Sequence, residues 1–115
     1  MLKRLFGPAI QQINTEQVHS RLAQKPGPVI LDVRQPEEYR EGHISGAKLI
    51  PLGELTKRMG ELPKNREIIC VCESGSRSSV ATRQLISAGY SAVNLRGGMA
   101  GWQRSGMKVS KGSGM

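Results

Sequence analysis

The stretch "IICVCESGSRSSVA", Ile68 to Ala81, holds both cysteines of the chain, Cys70 and Cys72, and runs on into small polar residues and an arginine. A thiol in such a place can pack as an inert core group, ligate a metal, form half a disulfide or attack as a nucleophile. The C-x-C spacing supplies half a zinc site at best, and His19 and His43 stand far off in unlike contexts, so no metal is expected. A Cys70–Cys72 disulfide would have to close a very tight ring between residues that alternate along a strand. Two free thiols fit a reducing compartment.

Cys70 lies within an apolar run and reads as a small buried hydrophobe. Cys72 is placed differently. After it the chain turns through Glu73, Ser74, Gly75 and Ser76, and helix-like sequence begins near Arg77, which leaves several successive N–H groups without partners. Such groups can curl inward as an anion-binding nest at the positive end of a helix. A thiolate at the centre of the nest is stabilised, which lowers the thiol pKa and makes it the nucleophile. Arg77 adds a positive charge, and Ser74, Ser76, Ser78 and Ser79 supply hydroxyls to pin the loop. An acid beside a thiolate opposes it, so the Glu73 side chain is expected in solvent, contributing only its N–H. From Cys72 to Arg77 is C-x4-R, one residue tighter than the C-x5-R with which cysteine phosphatases wrap a tetrahedral phosphate. A tighter ring suits a smaller group, such as a single sulfur atom carried on the cysteine.

The surrounding elements alternate between strand and helix. "PVILDV" (Pro28 to Val33) and "EIICVC" (Glu67 to Cys72) are continuous apolar runs, the pattern of strands buried on both faces of a parallel sheet, and "SAVNL" is a further one. "AKLI" reads as a short strand stopped by Pro51. "INTEQVHSRLAQ" has Asn14 or Thr15 as N-cap, with Val18 and Leu22 on one face. Pro36 opens "PEEYRE", whose acids suit a first helical turn, and Gly42 ends it. "LGELTKRMGEL" sets Leu52, Leu55 and Met59 on one side. "SRSSVATRQLISAGY" carries Val80, Ala81, Leu85 and Ala88 at helical spacing up to Gly89, and "GGMAGWQRSG" closes with a helical turn or two. This order implies an α/β fold with a mainly parallel sheet and helices on both faces, in which ligands bind where strand ends meet helix starts. Cys72 stands at such a point.

The 115 residues suffice for one core and not for two domains. Apolar residues are 37% and charged residues 23%, a globular balance, and no apolar run could span a bilayer. The N-terminal residues, interrupted by Gly7 and Pro8, read as a lead-in without a cleavage site, and a cytoplasmic location is expected. The net charge of +8 invites a nucleic-acid reading. Its distribution argues otherwise: residues 58–115 hold nine basic and three acidic side chains, but the basic ones are spread singly and aromatics are only 3%. A positive field that draws small anions accounts for the same numbers.

Three blocks, in order, resemble the rhodanese-like sulfurtransferase family, and the resemblance covers Asn14 to Gly106. They are "LDVRQPEEYREGHISGAKLIP" (Leu31 to Pro51), "CESGSRS" (Cys72 to Ser78) and "LRGGMAGW" (Leu95 to Trp102). The resemblance implies a rhodanese-like fold with a mainly parallel five-stranded sheet and residues 14–106 as the domain; residues 1–13 then form a lead-in, and the Gly, Ser and Lys of 107–115 suggest a flexible tail. It implies that Cys72 becomes a persulfide, taking sulfane sulfur from thiosulfate or a persulfide and passing it to a thiol or cyanide. Backbone N–H groups from Glu73 through Ser74, Gly75, Ser76 and Arg77 to Ser78 would cradle the terminal sulfur. No metal or organic cofactor is implied.

Asp32 is expected to hold the neighbouring loop. Arg34 either pairs with a helix acid such as Glu38 or faces the pocket, and His43 reads as structural, since a thiolate of lowered pKa needs no base. Gly97 and Gly98 are expected to supply unusual backbone angles, and Trp102 to pack. A monomer is expected. Two other classes stand beside this reading: a binding or regulatory module whose basic second half docks an acidic partner, such as a protein persulfide donor or acceptor, and a cysteine phosphatase or arsenate reductase.

Overall fold

In a computed structural model, which describes residues 9–113, the chain alternates strand and helix along nearly its whole length. The strands are β1 (Gln12–Ile13), β2 (Val29–Asp32), β3 (Lys48–Leu49), β4 (Ile68–Val71) and β5 (Ala92–Leu95). The α-helices are α1 (Thr15–Leu22), α2 (Pro36–Glu41), α3 (Leu55–Arg58), α4 (Ser76–Ser87) and α5 (Gly98–Arg104), with 3₁₀ turns at Leu52–Glu54 and Met59–Glu61 flanking α3. The five strands form one sheet in the order β1-β5-β4-β2-β3, every pairing parallel.

Side-chain alternation along the strands builds a core on each face. From β4, Ile69 and Val71 join Val18 of α1, Tyr39 of α2 and Met99 and Trp102 of α5. Ile68, Cys70 and Cys72 point the other way and pack with Leu55 of α3 and Ala81 and Leu85 of α4. Each fully buried leucine or isoleucine of this kind contributes roughly 1.5–3 kcal/mol of transfer free energy.

Local signals place the helices. Asn14 caps α1: its side chain accepts from the Gln17 N–H while the Gln17 side chain accepts from the Asn14 N–H. Pro36 opens α2, Glu37 and Glu38 occupy its first turn, and Gly42 follows its last residue.

Four local expectations change. Val80 is 42% exposed and Ala88 is also exposed, so the face of α4 toward the sheet is Ser78, Ala81, Thr82 and Leu85. Thr82 is tolerated there because its hydroxyl donates to the Ser78 carbonyl at 2.7 Å. The "LGELTKRMGEL" segment is one α-turn between two 3₁₀ turns, still presenting Leu52, Leu55 and Met59 to one core. An additional strand, β1, lies just before Asn14 and pairs with β5. The segment 107–110, part of the stretch expected to fray, is fastened: Ser110 and His43 exchange backbone hydrogen bonds at 2.9 and 2.8 Å, and the Lys108 carbonyl accepts from the Trp102 indole at 2.9 Å. The Gly7-Pro8 break lies outside the described residues.

The chain leaves β2 toward β3 on one side of the sheet and leaves β4 toward β5 on the other. The C-terminal ends of β2 and β4 therefore flank a crevice at the topological switch point. Cys72 follows one of those strands, and Val33 and Arg34 follow the other.

Candidate active site

Cys72 is the first residue beyond β4, and the chain then doubles over its sulfur. Sγ accepts from the Gly75 N–H at 3.1 Å, the Ser78 N–H at 3.3 Å and the Ser78 hydroxyl at 3.2 Å. Two features bend the loop this far. Gly75 adopts φ +108° at the N-cap of α4, a conformation that L side chains rarely take. On the outer side, the N-terminus of α5 seizes two loop carbonyls, Cys72 from the Met99 N–H at 2.8 Å and Glu73 from the Ala100 N–H at 3.0 Å. With those carbonyls held outward, loop N–H groups are left to face the sulfur.

Gly98 makes this contact possible. Its φ is +56°, and a Cβ there would fall well inside van der Waals distance of the Cys72 and Glu73 carbonyl oxygens.

The two thiols differ sharply in consequence. Burial pushes Cys70 up to about 12, so it stays protonated. Burial acts the same way on Cys72, but the Ser78 hydroxyl and the N–H groups of Ser78, Gly75 and Ser74 outweigh it, and the Cys72 thiol lies below its usual value.

The remaining loop residues take separate places. The Ser74 and Ser76 hydroxyls are exposed and 3.5 Å apart. Ser79 donates its hydroxyl to the Gly75 carbonyl at 2.7 Å. Arg77 is not a free cation at the loop's end: Glu38 of α2 holds it through two hydrogen bonds, at 2.8 and 2.9 Å. The same contact carries the Glu38 carboxyl down to about 2.

Glu38 is taken by Arg77, and Arg34, for which a helix acid or the pocket were the two expected places, pairs with Asp32. Asp32 accepts from the Arg34 N–H at 3.1 Å, from Nε at 3.0 Å and from Nη2 at 2.8 Å, and both residues are buried. Nη2 also donates to the Gly42 carbonyl at 2.8 Å, and Nη1 reaches Glu73, whose half-exposed side chain lies 3.5 Å away. Arg34 thus belts the turn after β2 to the Cys72 loop. It also lines a cleft of about 420 Å³ with Glu38, Glu41, Gly42, Glu73 and Gln103. A groove of about 480 Å³ between α3 and α4, beside Met59 and Gln84, includes no residue of the loop.

His43 is buried with its ring stacked 3.6 Å over Tyr39 and its Nδ1 2.7 Å from the Tyr39 carbonyl. Those contacts secure the turn after α2. Trp102 packs in the core with 3% exposure. One further buried polar residue lies beneath the loop, Asn94 of β5, and nothing in "SAVNL" distinguishes its amide from an ordinary sheet residue.

The Rhodanese-like domain family matches residues 14–105 of the chain. The chain belongs to that family. Within it, this rhodanese-like domain is 37% identical over 101 residues to the protein named "Sulfurtransferase" of Allochromatium vinosum, covering 87% of this chain and 94% of that one. Its fold superposes with a TM-score of 0.82 on the crystal structure of a rhodanese-related protein of Thermoplasma volcanium, at 28% identity, over 87% of this chain and 97% of that one. The crystal structure of thiosulfate sulfurtransferase from Pseudomonas aeruginosa also gives a TM-score of 0.82, at 31% identity, over 90% of this chain but only 20% of that longer one. These likenesses agree with the expected α/β fold and its five-stranded parallel sheet.

Proposed function

We propose that this rhodanese-like domain, a sulfurtransferase by its family and its likeness to a named sulfurtransferase, carries sulfane sulfur on Cys72 as a persulfide. The observation that carries the reading is the set of hydrogen bonds from Gly75 and Ser78 onto the Cys72 sulfur, at 3.1, 3.3 and 3.2 Å, which favours the thiolate. In the first half-reaction the thiolate attacks the outer sulfur of thiosulfate, or the terminal sulfur of a persulfide. The donor's S–S bond breaks, and sulfite or the donor thiolate leaves with the electron pair. In the second, cyanide or an acceptor thiolate attacks the terminal sulfur on Cys72, the new S–S bond breaks, and Cys72 leaves as thiolate. No net oxidant is required, and a leaving group of lowered pKa departs faster.

The loop that activates Cys72 also suits the product. A persulfide anion is a single-atom extension of the thiolate, and the N–H groups of the ring stabilise negative charge on either. The Ser78 hydroxyl and the loop amides supply this stabilisation.

Steady-state transfer from thiosulfate to cyanide, and from a small-molecule persulfide to a thiol, tests the reading. Double-displacement kinetics that vanish in Cys72→Ser are expected. Turnover by Cys72→Ser comparable to the native chain overturns it.

A further inference from the structure

Asn94 is 1% exposed in the middle of β5, with Gln12 of β1 and Cys70 of β4 as its neighbours across the sheet. Its Nδ2 lies 3.3 Å from the Gly75 carbonyl, 3.1 Å from the Ser79 hydroxyl and 3.2 Å from Gln12 Oε1. Its Oδ1 is buried and has no hydrogen-bond partner. An orphaned buried carbonyl is unfavourable, and an aliphatic residue at this position would avoid it. The amide nitrogen is therefore what distinguishes asparagine here.

What that nitrogen holds is the turn that aims a donor at the nucleophile. The Gly75 carbonyl receives the Ser79 N–H at 3.2 Å, the Ser79 hydroxyl at 2.7 Å and the Asn94 amide. Because the Ser79 hydroxyl gives its proton to Gly75, its oxygen is left to accept from Asn94. Gly75 sits at φ +108°, ψ −8°, and its own N–H points at the Cys72 sulfur from 3.1 Å. Anchoring the carbonyl of a residue in that rare conformation fixes the residue's orientation, and with it the direction of its N–H. The other two outward carbonyls, those of Cys72 and Glu73, are held by backbone N–H groups of α5, so Asn94 is the side chain by which the sheet completes the clamp.

We propose that Asn94 is a positioning residue for the Cys72 nucleophile: through the Gly75 carbonyl and the Ser79 hydroxyl, its amide keeps the Gly75 N–H aimed at the sulfur. The inference rests on Cys72 being the reactive thiol of the proposed sulfur transfer, but its test does not use that transfer. The charged groups around the loop are Asp32 at the end of β2, Arg34 just after it, Glu38 on α2, Glu73 in the loop and Arg77 on α4, with the neutral Cys70 thiol on β4. Changing Asn94 or Ser79 alters none of them, so a change in Cys72 titration would report the clamp.

The test is the pH dependence of Cys72 alkylation by iodoacetamide in the full chain, for Asn94→Leu and Ser79→Ala, with melting temperature measured alongside. Both variants are expected to fold. The alkylation midpoint should rise by about one pH unit in Asn94→Leu, an effect of roughly tenfold on thiolate population near neutrality, and by a smaller step in Ser79→Ala. Gln12→Ala, which removes the competing acceptor, should leave the midpoint in place or lower it. Unchanged midpoints in Asn94→Leu and Ser79→Ala overturn the proposal. Should Asn94→Leu fail to fold, Ser79→Ala decides alone.

Discussion

Arg77 and Glu38 meet in a two-pronged ion pair, Nη1 to Oε1 at 2.8 Å and Nη2 to Oε2 at 2.9 Å, that ties the first turn of α4 to the first turn of α2. The arginine that follows the Cys72 loop is thereby largely neutralised before any anion arrives. Glu38→Gln should release its charge and lower KM for thiosulfate by about threefold to tenfold, with the gain shrinking as salt is added. An unchanged KM across ionic strengths would show that Arg77 does not meet the donor.

The same pair sets an acid-stability window. Glu38 is depressed from 4.5 to about 2, so its stabilisation is fully present above the unfolded carboxyl pKa and disappears as pH falls through the folded one. Both side chains are about a third exposed, and solvent screening limits the contribution to about 1 kcal/mol or less. Urea unfolding midpoints of the native chain should therefore fall more steeply between pH 5 and pH 2 than those of Glu38→Gln.

Ser78 gives the sulfur two of its hydrogen bonds, one from the backbone and one from the hydroxyl. Ser78→Ala removes the second without altering the helix start. Because that bond favours the thiolate, its loss raises the Cys72 pKa, by about one unit or roughly 1.4 kcal/mol. Iodoacetamide alkylation at pH 7 should slow several-fold, while the rate at pH 10 stays near that of the native chain.

Gly98 has no room for a side chain against the Cys72 and Glu73 carbonyls. Gly98→Ala should cost about 2–3 kcal/mol of stability, from left-handed strain and forced separation of α5 from the loop. It should also raise the alkylation midpoint of Cys72, because the loop carbonyls lose their holders. A melting temperature within about a degree of the native value would contradict the close contact.

Much of this arrangement is legible in the sequence because its physical causes are local. The continuous apolar runs at Val29–Asp32 and Ile68–Val71 can be stable only as strands covered on both faces. The small residues after Cys72 mark a tight turn, and Gly75 and Ser78 of that stretch are the ones whose N–H groups meet the sulfur. What escapes such reading depends on distant partners. Two residues, Gln12 and Ile13, become a strand only because β5 offers an edge. Arg34 turns to Asp32 because Glu38 is claimed by an arginine 39 residues on. Val80 fits a helical period, but the loop that delivers Ser78 to the sulfur rotates α4 so that Thr82, and not Val80, faces the sheet. Asn94 carries no local mark of its reach to Gly75.

The central claim is that sulfur rests on Cys72, and mass spectrometry of the protein after incubation with thiosulfate tests it most directly. Cys70 provides an internal control, since two residues away it is held protonated while the Cys72 thiol lies below its usual value. The account predicts a gain of one sulfur atom, fragment ions that place it on Cys72, its removal by cyanide, and no gain in Cys72→Ser. Sulfur located on Cys70, or an undiminished gain in Cys72→Ser, would contradict it.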